Sequence, residues 1–162
     1  MTNDLPTVMI AVMDDEELIL AQCRRLHLEN GLFTLNEDKI RNCLRMCYNR
    51  VSASQTPVVV GVIKNKDGVI EASTCLMISD FYYTDDWHLA ELWNFVDESY
   101  RRSRNAEALI EFGKSCSLKM DVPFFTGIIT NRQMVGKVRM YRRLLGHPVG
   151  TRRLGLVGHS PS

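Results

Sequence analysis

The sequence predicts a mixed α/β domain in which helices cover both faces of one sheet. Three observations carry that reading. Short β-branched runs are interspersed with longer stretches of helical periodicity, an Asn-Lys-Asp-Gly hairpin signal at residues 65–68 joins two of the runs, and no repeat, low-complexity block or linker interrupts the series. With 162 residues, 45% of them hydrophobic and 24% charged, the chain is long enough for one buried core and needs no second domain.

Residues 6–13, rich in Val, Ile and Met, read as a first strand. Asp14, Asp15, Glu16 and Glu17 then crowd the start of a helix, where negative charge suits the dipole. Leu18, Cys23 and Leu26 supply its expected apolar stripe, and Gly31 its stop. Thr34 with Glu37 makes a capping-box pattern for a second helix, which carries Ile40, Leu44, Cys47 and Tyr48 on one face. Residues 58–64 and 69–81 are the two arms of the hairpin, and a further turn at 84–87 leads to a strand over 89–96. Ala106, Leu109, Ile110, Gly113 and Met120 mark a third helix. A strand over 123–130, a last helix over 134–145 stopped by Gly146-His147-Pro148, and room for one short strand after residue 149 complete the order β-α-α-β-β-β-α-β-α-β.

Net charge is +1, but its distribution is uneven: 19 acidic and 13 basic side chains fall in the first 121 residues, and seven basic with no acidic ones follow. Such a basic final quarter suits a solvated surface, a polyanionic cofactor, nucleic acid or the acidic part of a neighbouring copy. Aromatic residues are sparse there and no nucleic-acid motif occurs, which makes nucleic acid the least favoured partner. The five cysteines, Cys23, Cys43, Cys47, Cys75 and Cys116, are odd in number and lie in apolar or helical settings, as expected of reduced thiols in a cytoplasm. Cys43 and Cys47 are four apart, but the four histidines are scattered and complete no metal-ligand spacing, so core packing is expected and no metal. The apolar run at 8–13 is too short to span a bilayer, and no membrane partner is expected.

Arg101, Arg102 and Arg104 stand where the strand ending near Val96 feeds the third helix. The first turn of a helix carries unpaired N–H groups and about half a positive charge, so clustered cations there repel the dipole and one another. A bound anion would relieve both, and amides with guanidinium forks make a phosphate cradle. Ligands of such sheets sit at the carboxyl ends of strands.

With the element order, two motifs resemble the GCN5-related N-acetyltransferase (GNAT) superfamily. Arg101-Arg102-Ser103-Arg104-Asn105-Ala106 is similar to its Gln/Arg-x-x-Gly-x-Gly/Ala loop, with Val96 and Leu109 at the matching offsets and Arg104 in place of the first glycine. Asn131 followed by Lys137-Val138-Arg139-Met140-Tyr141 is the second match. The resemblance covers residues 6–150, leaves 151–162 as a short strand and tail, and is nearest to small GNAT-like proteins encoded by bacteriophages. It implies a single domain over 1–162, with a mainly antiparallel sheet of six to seven strands.

It also implies acetyl-CoA as co-substrate. Val96, Arg101, Arg102, Ser103, Arg104, Asn105, Ala106, Asn131 and Lys137 would hold the cofactor, the 101–106 loop taking the pyrophosphate and Asn131 the pantetheine. Tyr141 would be the acid that protonates the leaving thiolate. Glu91 is the candidate base: strand alternation places it beside Leu89, Trp93 and Phe95, an apolar setting that raises a carboxyl pKa. The implied function is transfer of an acetyl group to an amine of a small molecule or protein. The alternative is an inactive GNAT-fold assembly protein, a homo-oligomer or virion component in a phage particle or host cytoplasm, motivated by the missing glycine.

Overall fold

Asn65 fixes the central hairpin. In the computed structural model, which describes residues 4–30, 34–49, 57–128 and 134–146, its side-chain oxygen accepts from the Asp67 amide at 2.9 Å and the Val69 amide at 3.0 Å. Gly68 completes the turn at φ +79°, a left-handed conformation open to glycine at little cost. Strands β2 (Val58–Lys64) and β3 (Ile70–Asp80) leave this turn as an antiparallel pair. β1 (Met9–Ile10) lies antiparallel to β2, β4 (Trp87–Val96) antiparallel to β3, and β5 (Phe124–Phe125) parallel to β4. The sheet order is β1-β2-β3-β4-β5.

Alternate residues of these strands point to opposite faces, and each face has its own helices. On one side α1 (Glu16–Asn30) and α2 (Glu37–Asn49) place Ile19, Cys23, Leu44 and Cys47 against Val58, Val60, Val62 and Cys75. On the other, α3 (Asn105–Met120) sets Ala108 and Leu109 on Ile63 and Ala72, and Phe112 and Cys116 on Leu76, Ile78 and Leu89. Ile19, Leu20, Leu44, Leu76, Leu109 and Ile110 are fully buried, each worth about 1.5–3 kcal/mol of transfer free energy. Helix α4 (Met134–Leu145) packs against α3, and Gly146 ends it at φ +87° with its amide on the Arg142 carbonyl at 3.0 Å. The expected mixed, mainly antiparallel sheet flanked by helices is therefore present. Among the described residues no helix is long and apolar enough to cross a membrane.

Several expected boundaries shift. The described residues hold five strands rather than six to seven; residues 149–162, which would carry the last one, lie outside them, as do Gly31 and most of the 52–57 loop. β1 is shorter than 6–13 because the Val12 amide turns to the Asp15 carboxylate (3.0 Å), which also pairs with Lys64 at 2.6 Å. The cap of α2 is Asn36, whose side chain accepts from the Lys39 amide at 3.1 Å, rather than Thr34. In α1 Leu18 is exposed while Gln22 is buried; Gln22 donates to the Ile70 carbonyl (2.9 Å) and accepts from Ser73 Oγ (2.7 Å). A buried polar residue with both ends satisfied can replace an apolar one on the core face.

Candidate active site

The site begins with an irregularity in β4. Cys75 stands opposite Trp93 and Leu76 opposite Glu91, so Leu92 is an extra residue in the ladder. A bulge of this kind shifts the alternation by one. Leu89 consequently packs with Leu76 and Ile78 on the α3 face, whereas Trp93 packs with Cys75 and Leu44 on the α1/α2 face. Phe95 follows Trp93, since its partner Ser73 reaches Gln22 of α1. The expectation that Glu91 shares one face with Leu89, Trp93 and Phe95 is corrected: only Leu89 is on its side.

The second irregularity is a gap. β4 and β5 pair only at Leu89/Phe124 and Ala90/Phe125, and β4 then runs on to Val96 without that neighbour. The opening is a cavity of about 560 Å³. Residues 91–96 of β4 line one wall, Gly127 and Ile128 another, and α1 and α4 contribute Cys23, Glu29, Lys137 and Tyr141.

Glu91 sits in the gap with three donors. Thr126 Oγ1 at 2.7 Å and Tyr141 Oη at 2.8 Å both donate to Oε1, and Asn94 Nδ2 donates to Oε2 at 3.2 Å. Burial raises the carboxyl above its usual range, against the three hydrogen bonds, which favour the ionised form. Burial, reinforced by the Glu91 charge, also raises the Tyr141 phenol. The chain thus holds a half-buried carboxylate with enhanced basicity and a phenol that keeps its proton.

The other end of the cavity is cationic. Arg101 Nε lies 3.4 Å from the Val96 carbonyl oxygen, and its Nη2 forms an ion pair with Glu29 of α1. Lys137 lines the same space; burial lowers its pKa, Arg101 adds to that and Glu29 opposes it. Ala106 also lines the cavity, and its amide precedes the first i to i−4 bond of α3, made by Ala108 to the Arg104 carbonyl at 3.0 Å.

Of the residues singled out in the sequence, Glu91, Val96, Arg101, Ala106, Lys137 and Tyr141 meet at this cavity. The side chains of Arg102, Ser103, Arg104 and Asn105 do not line it. Arg104 grips Glu107 at 3.0 and 2.9 Å; Ser103 Oγ donates to the Tyr100 carbonyl at 2.6 Å and accepts from the Asn105 amide at 3.1 Å. Asn105 is buried and donates to Glu71 at 2.9 Å, and Arg102 is exposed. Asn131 lies outside the described residues. The electrostatic conflict expected of clustered arginines is relieved in part within the chain, by Glu29 and Glu107. Asp97, just before the loop, pairs with Arg25 of α1 at 2.9 Å. Thr126, Asn94 and Glu29 complete the site, and no local pattern marks them.

Known proteins agree with this architecture. An acetyltransferase from Trypanosoma brucei superposes with a TM-score of 0.66 at 20% identity, over 93% of this chain and 97% of its own. AAC(6')-Iy in complex with the bisubstrate analogue CoA-S-monomethyl-acetylneamine gives 0.65 at 12% identity, over 98% and 100%. A ribosomal-protein-alanine N-acetyltransferase from Brucella melitensis biovar Abortus 2308 gives 0.66 at 10% identity, over 95% and 100%. No protein-family model and no curated protein matches the sequence. The chain has the fold of the GNAT acetyltransferases.

Proposed function

We propose that the protein is an N-acetyltransferase that uses acetyl-CoA and acts on an amine. The observation that carries this is the Glu91 carboxylate, half-buried in the gap between β4 and β5 with Tyr141 Oη 2.8 Å away. The cavity suits the cofactor at both ends: Arg101, Lys137 and the first amides of α3 favour phosphate, and the β4 edge offers backbone groups to an amide-bearing arm. By the sequence resemblance Asn131 joins that arm. Bound acetyl-CoA supplies an acetyl group activated as a thioester.

Glu91 takes a proton from the acceptor's ammonium, which frees the amine lone pair for attack on the thioester. Oε1 is occupied by two short hydrogen bonds, so Oε2, with its single 3.2 Å bond, is the oxygen that accepts. A carboxyl raised toward neutrality is better matched to an amine than an ordinary one. Tyr141 holds its proton more firmly than a free phenol, and a thiol is the stronger acid, so it steadies a departing thiolate as a hydrogen-bond donor rather than by giving up its proton. Thr126 and Asn94 keep the carboxylate in place.

The inactive, particle-building alternative rests on Arg104 in the glycine position. Arg104 has φ −90°, a conformation available to any residue, and its side chain turns to Glu107. That observation lends the alternative little support. Isothermal titration with acetyl-CoA tests the proposal, and no heat of binding at millimolar cofactor would overturn it. Across a panel of amines, Glu91→Gln is expected to lower kcat by about 100-fold with the cofactor Kd preserved; unchanged turnover would remove Glu91 from the reaction.

A further inference from the structure

We propose that Glu29 is a resident anion: its carboxylate occupies the cationic end of the groove in the free protein and gives way to the cofactor's pyrophosphate. This rests on the reading of the groove as a CoA site. Glu29 is the penultimate residue of α1, at the end of a helix where a negative charge is unfavourable. The nearest cation on the helix, Arg25 one turn earlier, pairs with Asp97 at 2.9 Å. Compensation for Glu29 comes from Arg101, 72 residues away, with which it pairs while both are partly buried. Lys137 lines the same cavity and feels both charges.

The position is the one an anionic ligand would take. Arg101 is steadied by the Val96 carbonyl, so its fork faces the cavity whether a carboxylate or a phosphate meets it. A pyrophosphate carries more charge and more acceptor oxygens than one carboxylate, and two part-desolvated cations prefer it. A monoanion gains nothing by the exchange. Glu29 therefore sets a threshold: polyanions displace it, and weakly charged ions do not.

The test is titration of wild type, Glu29→Gln, Arg101→Ala and the double variant with CoA and, separately, with inorganic pyrophosphate at low salt. Pantetheine, which lacks phosphates, is the control. Glu29→Gln is expected to bind both phosphate ligands about three- to five-fold more tightly, the scale of one partly exposed ion pair, with pantetheine unchanged. The gain should vanish in the Arg101→Ala background. Equal or weaker binding by Glu29→Gln, with melting unchanged, would show Glu29 to be a brace for Arg101 and overturn the proposal. A gain that persists without Arg101 would do the same. If pyrophosphate shows the expected pattern and CoA binds neither protein, the resident anion stands and the acetyl-CoA reading falls. If CoA binds wild type and Glu29→Gln alike, the reading stands and the resident anion falls.

Discussion

Burial and hydrogen bonding pull the Glu91 carboxyl in opposite directions, and the net shift is upward. That direction fixes how stability depends on pH. Below the unfolded carboxyl pKa, about 4.3, both states hold the proton and burial costs nothing. As pH rises through the folded pKa the buried group must ionise, and the stability it retained at low pH is lost. Glu91→Gln, which stays neutral and keeps an oxygen for Thr126 and Tyr141, is therefore expected to melt higher than wild type at pH 8. The difference should shrink as pH falls toward 4. Melting curves over that range check it; a variant less stable at pH 8 would mean that the carboxylate's bonds outweigh its desolvation. Glu91 was singled out by an apolar setting on a strand and Tyr141 by the family resemblance, and the two meet at the cavity. Thr126 and Asn94 were not legible in the sequence: Thr126 reaches Glu91 across 35 residues, and an Asn in a strand is unremarkable until a bulge aims it.

Among elements, the sequence revealed those whose signals are local. The Asn65 turn, the β-branched arms beside it and the last helix, with the same bounds, follow from side-chain chemistry within a few residues. The Leu92 bulge depends on how two strands align, which residue types do not record, and it decides which of Leu89, Trp93 and Phe95 share a face with Glu91. β5 shows the same limit. Residues 123–130 have strand composition, yet among the described residues, which reach 128, only Phe124 and Phe125 are in register with β4, and the departure after them opens the groove. Gly113 governs how closely α3 approaches this short strand, since a Cβ there would lie 2.6 Å from Phe124 Cζ. Gly113→Ala gains up to about 1 kcal/mol of helix propensity, while overpacking costs about 1–3 kcal/mol. A net loss is expected in urea titration, recovered when Phe124→Leu makes room. A Gly113→Ala variant as stable as wild type would show that the ring moves aside freely.

At the scale of the whole molecule, buried contacts and cavity-lining residues are unevenly shared. β2, β3, α1 and α2 hold the largest apolar cluster, and Val60, Val62, Ala72, Cys75 and Leu76 are inaccessible to solvent. No residue of α4 from Val135 to Leu145 is buried, although that helix carries both Lys137 and Tyr141. Its basic character adds to this: the acidic side chains all lie in the first 121 residues, so α4 meets the rest of the chain across a separation of charge rather than through a large apolar face. Stability should follow burial, with α4 opening locally at far lower free energy than the central hairpin. Hydrogen exchange is expected to label amides of Met134–Leu145 well before those of Ile70–Asp80. A ligand held between β4 and α4 adds its binding free energy to the closed state alone, by RT ln(1 + [L]/Kd). Saturating acetyl-CoA should therefore slow exchange in α4 more than in β3, unless global opening governs both. If α4 is already as protected as β3 without ligand, its docking is part of the cooperative core, and binding would be read instead from the exposed 101–104 segment before α3.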